Sequence, residues 1–168
     1  MKIILVLAMH GAPPNDFPRN ELAELMGLHN RLEHASNTEQ ALVQSRYSEL
    51  ESRVRSWPRT AKNDPFYAGS TALAEQLEAA SGLPVVLGFN EFCAPSLDEA
   101  LDRAASNAER VLVITPMMTR GGEHSEQDIP ASIQRTQERH PKVKIQYVWP
   151  FELSAVARFL AEQLKGYQ

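Results

Sequence analysis

Four short apolar runs constrain this chain more than any other feature. They are "KIILVLAM" (2–9), "PVVLGFN" (84–90), "RVLVIT" (110–115) and "KVKIQYVW" (142–149). Each is rich in Ile, Leu or Val and too short for a buried helix. A strand covered on both faces of a parallel sheet reads this way. The fourth run alternates more and reads as an edge strand. Between the runs the apolar period becomes helical, over 19–33, 39–57, 65–80, 96–108, 125–140 and 152–165. Thr38 offers an N-cap to the second helix, and Ser96 with Glu99 makes a capping box for the fourth. Gly82 and Pro84 stop the third. Strands alternating with helices predict an α/β fold. Its expected form is a four-stranded parallel sheet in a flavodoxin-like three-layer sandwich, with 1–168 as a single domain. One crossover needs one helix, yet three precede the second strand. A helical insert at about 27–62 is therefore surplus, as a lid, a dimer surface or a helical hairpin.

Composition narrows the setting. The 168 residues are 43% hydrophobic, enough for a core without disulfide or metal support. Cys93 is the single cysteine, so no intrachain disulfide can form, and a reducing, cytoplasmic location is expected. The opening "MKIILVLAMHG" resembles a signal peptide only superficially: one Lys precedes a short apolar run with no small-x-small site, and it reads as a strand. No apolar run approaches the ~18 residues of a membrane span. A net charge of −4 argues against a general nucleic-acid binder.

Loops that follow parallel strands emerge on one edge of the sheet, where ligands bind. After the first strand come His10 and Gly11, after the second Glu91, and after the third "PMMTRGGEH" with His124. If the strand order is 2-1-3-4, His10 and His124 face each other where the order reverses. Two neutral imidazoles suit Co, Ni, Fe or Zn, and a carboxylate beside them leaves coordination positions open. Gly11 permits a sharp turn, and Gly121–Gly122 clear room for a bulky ligand. The other histidines read as incidental: His29 and His34 are five apart on a helix, and His140 can cap carbonyls at a helix end. Cys93 and Met117–Met118 are expected beneath the rim. A phosphate cradle at the glycine pair is disfavoured by Glu123 and Glu126. Neither a P-loop nor a G-x-G-x-x-G pattern occurs, so no organic cofactor is expected.

These residues carry a resemblance. "PMMTRGGEHSEQDIP" followed by "ERHPKVKIQYVWPF" resembles the loop-helix-strand segment of the small class II chelatases of the CbiX/SirB type. "VLAMHGAP" is similar to that family's first strand with its His-Gly, and "GFNEFCAPSLDEAL" to its acidic motif. The resemblance implies a chelatase-like fold and insertion of a divalent metal (Co²⁺, Fe²⁺ or Ni²⁺, taken as substrate) into sirohydrochlorin or a related tetrapyrrole, in cobalamin or siroheme biosynthesis. It puts His10, His124 and Glu91 at the metal, with Glu91 as base or ligand. Arg120, and Arg19 with it, would pair with ring carboxylates, beside the Gly11 and Gly121–Gly122 loops. It also implies a homodimer. The chain departs from the family pattern with Ala12-Pro13-Pro14 after His-Gly, with Glu123 before His124, and with the insert. Two other classes remain open: a Co/Ni carrier or sensor using the same His pair, and a histidine-phosphatase-like enzyme. The latter wants an arginine beside the histidine, where this chain has Met9.

Overall fold

The structure, a computed structural model, describes residues 1–32 and 40–167, together with the backbone but not the side chains of 37–39. His34 and the Thr38 cap lie outside the described residues. Strands β1 (Ile3–Met9), β2 (Val85–Phe89), β3 (Arg110–Ile114) and β4 (Lys144–Tyr147) form one parallel sheet in the order β2-β1-β3-β4. This is the order that sets β1 beside β3. β4 lies at the edge, with Lys144 and Gln146 exposed, as its alternation requires.

Helices cover both faces because successive strand residues point opposite ways. On one face, Ile4, Val6, Ala8, Val111 and Val113 pack against α4 (Leu97–Ala105) and α5 (Ile129–Arg139). Gly88 allows α4 to approach β2, since a Cβ there would stand 2.6 Å from the Cβ of Ala100. Ser96 and Glu99 close the capping box at the start of α4. On the other face, Leu7, Met9 and Phe89 pack under α3 (Pro65–Ser81) through Tyr67 and Leu77. The three-layer α/β sandwich follows.

The surplus helical sequence is a hairpin of α1 (Arg19–Leu32) and α2 (Asn37–Arg55). It has its own apolar cluster of Phe17, Leu25, Leu28, Val43, Leu50 and Val54. Ion pairs Arg46–Glu24 at 2.8 Å and Arg53–Glu21 at 2.7 Å cross between its helices.

Two local expectations are corrected. The helix expected over 125–140 is two pieces. A π-helical turn runs from His124 to Asp128, closed by the Ile129 N–H on the His124 carbonyl, and α5 follows with Pro130 in its first turn. His140 does not turn its ring to carbonyls; its Nε2 stands 3.1 Å from Asp102 Oδ1, in a network with Arg139. The last helix, α6 (Leu153–Gln163), forms but buries none of its residues among those described. Phe159 and Leu160 are half-exposed, and Leu153 is more so. On the sheet face shared with α3, Leu112 and Ile114 are only half-buried, and Val148 just beyond β4 is exposed.

Candidate metal centre

β1 connects through α3 to β2, while β3 connects through α5 to β4 on the other side. The strand order therefore reverses between β1 and β3, where a crevice opens at their carboxyl ends. His10 follows β1 directly. The β1–β2 pairing continues for two rungs beyond the strands: Asn90 N–H donates to the Met9 carbonyl and Glu91 N–H to the His10 carbonyl, both at 2.9 Å. This brings Glu91 beside His10. The backbones touch so closely that a Cβ at Gly11, which holds φ +105°, would collide with the Glu91 carbonyl oxygen. Phe92 turns the chain away with φ +55°, a left-handed conformation rare for an aromatic residue. From the other side, Gly121 at φ +89° and Gly122 lead into the π-helical turn that His124 opens. Such turns widen a helix by one residue and recur at functional sites.

The two imidazoles meet edge to face with centroids 4.3 Å apart. Glu91 spans them, with Oε2 3.9 Å from His10 Nδ1 and Oε1 3.7 Å from His124 Nε2. One ligand atom from each residue lies within 4.8 Å of the other two. Two ligands ~2.1 Å from one ion stand at most ~4.2 Å apart, so a rotamer adjustment of about half an ångström closes the cluster on a cation. The hydrogen bonds set the ring protons. His10 Nδ1 lies 2.8 Å from the Gly11 carbonyl, which can only accept, so Nδ1 carries the proton and Nε2 keeps its lone pair. His124 Nδ1 lies 2.5 Å from Asp128 Oδ2, leaving Nε2 toward Glu91. Carboxylate support of this kind orients a metal-binding imidazole and fixes its tautomer. Asp128 escapes a reading of strand ends. Its signal is the four-residue spacing from His124, on one face of any helical turn.

A cleft of about 210 Å³ adjoins the cluster, lined by Met26, His29, Tyr47 and Glu51 of the hairpin and by Glu91 and Asp128. His29, incidental by spacing, thus faces the centre's approach. Burial, followed by the charge of Glu51, pushes the Tyr47 phenol up. Three carboxylates on one cleft attract cations. Arg120 is exposed, lies over the Trp149 ring at 5.6 Å and reaches Glu126 at 3.4 Å. Glu126 accepts the Gly121 N–H at 2.7 Å, and this bond, with Arg120, holds its carboxyl below the usual range. The amide of Gly121 is thereby occupied, which removes it from any phosphate cradle. Arg19 is exposed at the start of α1. Cys93 lies fully buried beneath the rim, where burial pushes its thiol up. Met117 packs against the core.

Among the described residues no helix is long and apolar enough to cross a membrane. A sirohydrochlorin ferrochelatase from Priestia megaterium is 29% identical over 63 residues, which are 38% of this chain and 24% of that one. Of solved structures, SirB, a sirohydrochlorin chelatase from Bacillus subtilis subspecies spizizenii in complex with cobalt, matches at 16% identity and TM-score 0.44. The match covers 89% of this chain and 44% of SirB. A protein from Marinobacter aquaeolei VT8, assigned provisionally to cobalamin biosynthesis as CbiX, matches at 18% identity and TM-score 0.47 over 99% of both chains. This chain therefore spans less than half of the curated relative and of SirB. The CbiX family model matches residues 62–165, from the loop before α3 to just past α6. That is well over half of the sequence, and the chain belongs to the CbiX family.

Proposed function

We propose that this chain is a metal chelatase that inserts Co²⁺ or Fe²⁺ into sirohydrochlorin or a closely related tetrapyrrole, in cobalamin or siroheme biosynthesis. The observation that carries the reading is the His10–Glu91–His124 cluster, its ligand atoms within 4.8 Å at the point where the strand order reverses. In the reaction the ring gives up two pyrrolic protons and gains one dication. His10 and His124 hold the ion by Nε2. Glu91 accepts one ring proton or completes the ion's coordination, and the protons it does not take pass to solvent. The half-exposed His10 and Glu91 leave the ion reachable from outside, as transfer to a macrocycle requires. Holding ion and ring together supplies proximity. Arg120 lies on the rim where a ring carboxylate can reach it. The test is an absorbance time course with sirohydrochlorin and Co²⁺, repeated anaerobically with Fe²⁺. Protein-dependent acceleration is expected with at least one metal. No acceleration with either, alongside tight Co²⁺ binding, would replace the enzyme with a metal carrier.

The reading includes a homodimer in a reducing, cytoplasmic setting, which the single buried cysteine suits. The cleft is smaller than the ~300–1,000 Å³ that encloses a drug-sized ligand, so a tetrapyrrole needs a second wall. The unburied apolar side of α6 and the half-covered Leu112, Ile114 and Val148 offer apolar surface for one. Light scattering on the eluting protein should give twice 18.8 kDa. Phe159→Glu with Leu160→Glu should shift it to a monomer. A monomeric parent chain would refute the dimer.

A further inference from the structure

We propose that Arg55 and Arg59, at and just beyond the end of α2, are positioning residues that set Glu91 and His10 for the ion. The α1–α2 hairpin thereby acts as a brace for the metal centre. The inference rests on the metal-centre reading above and extends it to residues that precede the stretch matched by the family model.

The backbone of residues 90–93 leaves β2 and carries Glu91. Its carbonyls point away from any strand and need partners. Arg55 supplies two, donating from Nη1 to the Cys93 carbonyl at 2.8 Å and from Nη2 to the Asn90 carbonyl at 2.9 Å. Glu51, one helical turn earlier, fixes the guanidinium at 3.0 Å. Arg59 supplies the third, with Nη2 donating to the Phe92 carbonyl at 2.5 Å. Its Nη1 donates to the Ala12 carbonyl at 2.9 Å, two residues past His10, and pairs with Asp64. The fourth carbonyl, that of Glu91, accepts the Cys93 N–H at 2.5 Å. Arginine suits the task because its planar fork serves several acceptors in fixed directions at once.

The loop needs this support. Phe92 is held at φ +55°, a conformation that persists only where the surroundings enforce it. Without the two guanidiniums the stretch can relax and carry the Glu91 carboxylate away from the histidines. Arg59 and Asp64 are both nearly inaccessible, so removing Arg59 strands a buried carboxylate and endangers folding. Arg55 is more accessible and is the residue to test.

The experiment is a Co²⁺ titration by calorimetry on the full chain, with thermal melts beside it. Arg55→Met keeps the apolar stem and removes the donors. It should weaken Co²⁺ about tenfold, the scale of losing support behind a ligand, while the melting temperature stays within about 3 °C of the parent. Arg55→Lys should recover part of the affinity. In a Glu91→Ala background, Arg55→Met should change Co²⁺ binding no further, because Arg55 acts through Glu91. Unchanged binding in Arg55→Met, or the same tenfold loss with Glu91 already gone, would overturn the proposal while leaving the metal centre standing. A parent chain that binds no Co²⁺ would overturn the metal centre itself, and this inference with it.

Discussion

His124→Ala should lower the rate of metal insertion by at least about 100-fold, to the spontaneous background, the scale at which a single positioned acid or base acts. His124 is the least exposed of the three ligand candidates and the one whose ring is held by a carboxylate, at 2.5 Å. Its loss leaves one imidazole and Glu91, too few to strip and hold a hydrated dication against solvent. A graded companion separates ligation from orientation. Asp128→Asn keeps the shape but replaces an anionic acceptor with an amide, and should cost about 10–100-fold in Co²⁺ affinity without removing binding. Calorimetry on both variants, with the absorbance assay, checks the order. An Asp128→Asn variant as inert as His124→Ala would make Asp128 a ligand. Parental insertion in His124→Ala would remove the centre from its place between β1 and β3.

Gly11→Ala should be the most damaging single methyl in the chain. The added Cβ would strike the Glu91 carbonyl oxygen, which is backbone and cannot swing aside, and φ +105° is itself strained for alanine. Strain of ~1–3 kcal/mol and overpacking of ~1–3 kcal/mol act together. At this chain length the melting temperature should fall by roughly 5–15 °C. The relief available is separation of the His10 and Glu91 backbones, so Co²⁺ binding should fall with it. Thermal melts and a Co²⁺ titration read both effects. A variant that melts and binds like the parent would mean the rim is looser than the Glu91 N–H to His10 carbonyl bond implies.

The sheet was legible because its code is local. An unbroken run such as "IILVLAM" can only be covered on both sides, and the residue that follows it lands on the ligand edge. Hence His10, Glu91 and His124 could be named together although 114 positions separate the first from the last. The supporting residues were not legible, for contrasting reasons. Asp128 is local, but its effect depends on a π-helical turn that a period of 3.6 does not reveal. Arg55 and Arg59 act across 35 and 33 positions on the carbonyls of Asn90 and Phe92, and backbone acceptors carry no sequence signature. His29 reads as idle because its helix gives it no ligand partner, and only the tertiary packing turns it to the cleft. α6 reads as an amphipathic helix, yet periodicity says that a face is to be covered, not which chain covers it.

The hairpin's separate apolar cluster has an evolutionary consequence. Phe17, Leu25, Leu28, Val43, Leu50 and Val54 bury one another, whereas the sheet is buried by other residues. Substitutions on α1 and α2 can therefore accumulate without unfolding the scaffold that presents the histidines. What the hairpin lends to the rim passes through a few guanidinium contacts, the packing of Phe92 against its cluster, and the cleft wall. Selection could retune how the ion is presented, and what shape may approach it, by remodelling a module whose errors the rest of the molecule tolerates.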